Sequence, residues 1–168
     1  MTNRQRRRNK VTAAKPKLQP IRLKQSEKWD VRSQFGALCY RLHKGAVEVL
    51  LITSRGTGRW ICPKGWPIDW VTPAQAAATE AYEEAGVEGK VSDVCLGVYS
   101  YNKNIPTEDN LPCVVAMFSL RVKRLLKDFP EAGQRKRRWF DQKKAAKMVS
   151  EPELGQLIRS FDPSRLKT

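Results

Sequence analysis

Apolar residues in this chain fall into short, nearly unbroken runs set off by turn-forming residues. Phe35 to Arg41 and Val47 to Thr53 are two such runs, and His43-Lys-Gly45 between them predicts a hairpin. Lys90 to Tyr101 and Pro112 to Lys123 predict further strands, and Trp60-Ile-Cys62 a short one that Pro63 and Gly65 turn into a loop. Pro73 to Ala85 differs: alanines fill a helix body, Thr72 can cap it, Pro73 suits its first position, and Gly86 suits the left-handed residue after its end. Asp141 to Val149 has helical composition behind a capping aspartate. Ser150-Glu-Pro-Glu predicts a capped start to a last helix through Gln156 to Phe161. Strands that bracket one helix and precede two more predict a mixed α/β (α+β) layout.

On the first helix Glu80, Glu83 and Glu84 stand at spacings of three and four, which puts all three carboxylates on one face. Like charges crowded there repel one another. A hard divalent cation such as Mg2+ converts that repulsion into binding, because it takes oxygen ligands and keeps waters that a phosphate can displace. A solvated acidic face is the alternative for the three glutamates alone. The order strand, glycine loop, acidic helix points to a built site: Gly65 lets backbone approach a ligand and offers a carbonyl, and Lys64 can set a cation beside a phosphate. Taken alone, Lys64 and Gly65 read as an ordinary turn with a solvated lysine.

The stretch from Gly65 to Val87 resembles the signature of the Nudix hydrolases: a glycine, a later glutamate, then Arg-Glu-x-x-Glu-Glu-x-Gly and an aliphatic residue. Gly65, Glu80, Glu83, Glu84, Gly86 and Val87 fall at its spacing, and Trp60-Ile-Cys-Pro-Lys-Gly matches the approach to it. The resemblance implies a Nudix fold, with a mixed β-sheet sandwiched between the signature helix and a C-terminal helix. It also implies cleavage of a diphosphate linked to some other group, using Mg2+ or Mn2+ and water. Carried over by position, it implies Glu83 and Glu84 as metal ligands, Gly65 as a carbonyl ligand, and Glu80 as a ligand or as the group that helps activate water.

Two positions depart from the pattern. Val71 stands where its first glutamate would be, and Thr79 where its arginine would be. A threonine hydroxyl supplies neither the charge nor the fork with which an arginine holds carboxylates in place. Arg59 or Lys64 could supply the missing positive charge. Downstream, Glu131-Ala-Gly-Gln-Arg-Lys-Arg-Arg-Trp139-Phe140 joins the basic block Arg135 to Arg138 to an aromatic pair. It resembles the Arg-Lys-x-x-Trp-Phe segment of the diphosphoinositol polyphosphate and dinucleoside polyphosphate branch of the family. Alone, these residues read as a solvated basic turn and two core aromatics. Beside an acidic helix they read as phosphate contacts, with Lys64, Arg135 and Arg137 the candidates for substrate binding.

At 168 residues and 40% apolar composition the chain suits one domain. Its charge is uneven: residues 1–32 hold 11 Lys or Arg against Glu27 and Asp30, nine of the net +15. That segment reads as a disordered basic arm, either a solubilising tail or a contact for nucleic acid or polyphosphate, ahead of a domain at 33–168. It has no hydrophobic core of a secretory signal, and no apolar run in the chain is long enough to span a membrane, so the cytoplasm is the expected compartment. Cys39, Cys62, Cys95 and Cys113 lack zinc-like pairing and read as reduced, mostly buried thiols; the single histidine, His43, is expected at an exposed turn.

The glutamates are therefore the only concentrated catalytic resource. The expected activity is metal-assisted hydrolysis of a phosphoanhydride in a small, highly phosphorylated or nucleoside-diphosphate-linked substrate. The alternative is a Nudix-like module, weakened by Thr79 and Val71, that binds a phosphorylated ligand or RNA.

Overall fold

The computed structural model describes residues 31–105 and 108–166. The expected disordered arm lies outside the described residues except for its last two positions, where Arg32 already opens the first strand. β1 (Arg32–His43) and β2 (Ala46–Thr53) form the predicted hairpin, with Tyr40 opposite Val49 and His43 opposite Ala46. β1 then runs parallel to β6 (Glu108–Leu125), which pairs antiparallel with β5 (Val87–Ile105). β5 and β6 outrun their expected limits, because a two-stranded ladder continues past the point where the side chains stop being core.

Between β1 and β2 the chain inserts two short pieces, β3 (Trp60–Ile61) on β2 and β4 (Lys64–Gly65) on β1. β7 (Arg137–Asp141) pairs with the far side of β2, from Ile52 opposite Arg137 to Glu48 opposite Asp141. The result is one seven-stranded mixed sheet.

Alternation within the apolar runs builds two cores. Ala37 and Cys39 of β1, Leu50 and Ile52 of β2, and Phe118 and Leu120 of β6 face α1 (Pro73–Ala85). Leu38, Tyr40, Val49, Leu51, Val115 and Met117 face the opposite side, under α2 (Gln142–Met148) and α3 (Pro152–Ser160). A sheet covered on both faces explains why these strands read as continuous apolar runs rather than as alternating ones. The mixed sheet between helices is the architecture expected above.

α1 meets the sheet through Ala74, Ala77, Ala81 and Ala85, whose small side chains let its backbone come close. Its start is the predicted one: the Thr72 hydroxyl accepts from the Gln75 amide at 3.2 Å, and the Gln75 side chain accepts from the Thr72 amide at 2.9 Å. Gly86 closes the helix at φ +62°, and its amide donates to the Tyr82 carbonyl at 2.8 Å. The start of α3 differs from expectation. Glu151, not Ser150, is the capping position, and its side chain makes no cap bond because it pairs with Arg59 at 3.1 Å. Gln142 ties the other end of α3 down, donating to the carbonyls of Ile158 at 2.9 Å and Phe161 at 2.6 Å.

Cys39, Cys62 and Cys113 are buried free thiols and Cys95 is an exposed one; His43 is exposed at the hairpin. Among the described residues no helix is long and apolar enough to cross a membrane.

The reciprocal cap on α1 sets a measurable cost. Thr72→Ala removes the cap bond that the hydroxyl accepts from the Gln75 amide and leaves the Thr72 amide bond and the core in place; it should destabilise the domain by about 1 kcal/mol, read as a lower urea midpoint at unchanged slope.

Candidate functional site

The site forms where the C-terminal half of α1 crosses β4. Gly65 has no side chain because none would fit: a Cβ there would lie 2.0 Å from the Glu80 carboxyl carbon. The chain thus brings Gly65 and Glu80 into direct contact. Glu80 is half-buried. Burial pushes its carboxyl up to about 7, with the negative charges of Glu84, Glu83 and Glu131 adding to the shift and Lys64 opposing it. Among the described residues no hydrogen-bond donor reaches it.

Glu84 is treated differently. It is 8% exposed, and both its oxygens are engaged: Oε2 accepts from the Lys64 amide at 3.0 Å and Oε1 from Arg135 Nη2 at 2.5 Å. Burial raises its pKa, and the Arg135 charge and the Lys64 amide oppose the rise. Glu83, one turn from Glu80, is exposed at the rim.

Two further carboxylates belong to this neighbourhood. Glu131 accepts from Arg135 Nε at 2.7 Å, lies 3.5 Å from Arg55, and anchors its loop to α1 through its own amide, which donates to the Glu83 carbonyl at 3.0 Å. Glu151 raises the pKa of Lys64 from across the site while pairing with Arg59. Sequence reasoning gave neither a role. For Glu131 a signal was present, since it stands four positions before Arg135 and in helical or turn geometry such a pair meets.

The expected cations separate in the structure. Lys64 reaches Glu84 through its backbone amide; its ammonium, 5.0 Å from the centre of the Tyr101 ring, is pulled down in pKa by burial and pushed up by Glu84 and Glu151. Arg135 reaches them too, but as a strut: its side chain is 6% exposed and its third nitrogen donates to the Thr53 carbonyl at 3.2 Å. Arg137 lies elsewhere, donating to the carbonyls of Ala85 and Leu126 at 2.6 Å each and stacking on Phe129, so that it caps the end of α1. Arg59, expected to stand in for a charge at Thr79, is held by Glu151. Thr79 turns its hydroxyl to the Gln75 carbonyl at 3.0 Å, within its own helix. Trp139 and Phe140 pack against opposite faces of the sheet, with Arg41 at 4.3 Å over the Trp139 ring.

Among the described residues no group of three or more His, Cys, Asp or Glu side chains is placed to hold a metal ion together, so Glu80, Glu83 and Glu84 share a helix face without converging on one point. A magnesium-like cation does not need such a group, because it binds through one or two carboxylates and completes its shell with water and substrate phosphate. Half-buried Glu80, without a hydrogen-bond donor, and exposed Glu83 are the carboxylates left open to such an ion.

The chain matches no family model. It is 35% identical over 130 residues to Nudix hydrolase 12, mitochondrial, of Arabidopsis thaliana, a match that covers 73% of this chain and 64% of that protein. It is 33% identical over 120 residues to diphosphoinositol polyphosphate phosphohydrolase 3-alpha of Mus musculus, covering 70% and 69% respectively. The fold matches a crystal structure of a C. elegans Ap4A hydrolase binary complex at 22% identity, with a TM-score of 0.57 over 77% of this chain and 93% of that one. It also matches the E. coli dihydroneopterin triphosphate pyrophosphohydrolase at 18% identity, with a TM-score of 0.58 over 78% and 97%. An acidic helix docked on a side-chain-free loop, inside this fold and at this likeness over most of a relative's length, makes the chain a member of the Nudix hydrolase family.

Proposed function

We propose that the protein hydrolyses a phosphoanhydride bond in a highly phosphorylated small molecule, of the dinucleoside polyphosphate or diphosphoinositol polyphosphate type, with Mg2+ or Mn2+ as cofactor. The observation that carries this reading is Glu80. A half-buried carboxylate with no donor, packed on Gly65 among three other acids, is costly unless a cation joins it.

Glu80, Glu83 and Glu84 are the side chains that would hold the ion, with the Gly65 carbonyl beside them. A bound divalent cation supplies charge neutralisation for the phosphates and lowers the pKa of water. Glu80, poised near neutrality, is suited either to holding the ion or to taking the proton from the attacking water. Lys64 is the cation free to meet a phosphate oxygen, since Arg135 and Arg137 commit their forks inside the domain. The relatives named for diphosphoinositol polyphosphate and Ap4A substrates support the substrate class. Basic residues 1–30 offer an additional, sequence-independent contact for a polyanion such as nucleic acid.

Phosphate release from diadenosine polyphosphates, nucleoside triphosphates, capped or triphosphorylated RNA and inositol pyrophosphates, with and without Mg2+, tests the activity. EDTA should abolish it and Glu83→Gln should lower turnover more than about 100-fold; turnover indifferent to both rejects the assignment. Calorimetric binding of a nonhydrolysable diadenosine polyphosphate without turnover would favour the weakened binding module.

Gly65→Ala tests the contact itself. The added methyl must displace the Glu80 carboxyl, so turnover and Mg2+ affinity should fall together by at least about tenfold while circular dichroism stays native.

The electrostatics predict a pH signature in the metal-free protein. Because folding raises Glu80 from its ordinary 4.5 to about 7, the folded state holds a proton there that the unfolded chain has lost. The stability this gives is fully present below about 4.5 and disappears as pH rises through about 7. The melting temperature should fall across that interval, Mg2+ should restore it at pH 8, and Glu80→Gln should flatten the slope. A slope unchanged by Glu80→Gln would show that the carboxylate is not desolvated.

A further inference from the structure

Thr79 leaves the acidic helix without the arginine its family pattern would place there, and its hydroxyl is turned away onto Gln75. The carboxylates are nonetheless served by a guanidinium. Arg135 reaches α1 from the loop ahead of β7 and uses all three nitrogens at once: Nη2 to Glu84, Nε to Glu131, Nη1 to the Thr53 carbonyl. The mount is rigid. The Thr53 amide donates to the Lys136 carbonyl at 2.9 Å and the Lys136 amide to the Thr53 hydroxyl at 2.9 Å, so the residue after Arg135 is tied to the end of β2 on both sides. The loop is pinned to α1 as well, through the Glu131 amide on the Glu83 carbonyl.

The geometry points to Arg135 as the positioning residue of the carboxylate cluster, supplying from the loop ahead of β7 a guanidinium that Thr79 does not, and acting on the metal through Glu84. The role rests on the cation reading above. A carboxylate offers roughly four acceptor lobes; Glu84 gives one to Lys64 and one to Arg135, which fixes its plane and leaves the remaining lobes in a set direction. A planar fork can hold two acids and a carbonyl together, whereas a lysine point charge or a neutral side chain cannot. Arg135 is also too deeply enclosed to be a first contact for substrate. Its effect should therefore appear in metal affinity and turnover, not in substrate affinity.

The test is a Mn2+ titration of the full chain by electron paramagnetic resonance, with steady-state kinetics beside it, on the parent, R135K, R135A, E84Q and E84Q/R135A. R135A should weaken Mn2+ binding by about tenfold or more and R135K by several-fold, with kcat falling and KM for the phosphorylated substrate little changed. In the E84Q background R135A should lose most of that effect, because its route to the metal is already cut. Equal effects of R135A in both backgrounds indicate a merely structural role and overturn the proposal, as does a raised KM at unchanged Mn2+ affinity. If R135A does not fold, R135K decides: parent-like Mn2+ affinity there overturns the role of Arg135. A parent chain that binds no Mn2+ overturns the cation reading and this inference with it, an outcome distinct from a parent and variants that bind equally well.

Discussion

The repulsion among acids on one side of α1 is the constraint that the rest of the site answers. Two like charges at about 4 Å in a partly screened environment cost on the order of 4 kcal/mol, a sizeable part of the roughly 5–15 kcal/mol that holds a domain folded. The chain meets this cost unevenly. Glu84, the buried one, receives an amide and a guanidinium. Glu131 receives two arginines. Glu80 receives no donor and is instead held against the bare α-carbon of Gly65. The asymmetry separates the acids that the protein compensates with its own donors from the one it leaves without any.

Each scaffold feature that matters here serves that arrangement. Alanines on the buried side of α1 bring its backbone near the sheet, and only at that separation can Glu84 accept from the Lys64 amide of β4. β4 in turn is placed by pairing with β1, where Gly65 lies opposite Phe35 and Lys64 opposite Gly36. The pairing of β7 with β2 carries the loop before it up to the end of the helix, delivering Arg135 to the acids and Arg137 to the last carbonyls of α1. Two arginines of one basic block thus do different work because they lie two residues apart on a chain segment whose start is still loop and whose continuation is strand.

What was legible in the sequence follows the range of the interactions. The cap at Thr72, the alanine face, the left-handed Gly86 and the grouping of Glu80, Glu83 and Glu84 are decided within a few residues of one another, and each could be read directly. The apolar runs of β1 and β2 likewise announced a sheet covered on both faces. The partners of those acids could not be read. Arg135 and Glu84 are 51 residues apart in the chain, and their meeting depends on strand order, which periodicity does not encode. For the same reason Arg59 was a reasonable choice for the missing charge at Thr79 by proximity along the chain, yet the fold gives it to Glu151. That same pairing occupies the side chain of Glu151, the residue at the cap position of α3, one residue after the expected Ser150.

A motif written as consecutive letters therefore understates what the site requires. The physical requirement is a fork of positive charge at the buried oxygen of Glu84, and any segment that the fold brings to that oxygen can supply it. Judged by letters, Thr79 is a defect. Judged by charge, a guanidinium does stand at that oxygen, on a residue whose 6% exposure and three bonds make it less mobile than a surface side chain on the helix itself. The consequence extends to the substrate side: with Arg135 and Arg137 drawn inward, the basic block presents only Lys136 and Arg138 to solvent. Lys64, whose ammonium lies over the Tyr101 ring, is also the residue whose own amide helps hold Glu84. The contacts of both Glu80 and Glu84 thus converge on one short strand, so a substitution in β4 acts on both acids at once, while Arg135 and Arg137 hold the end of the helix that carries them.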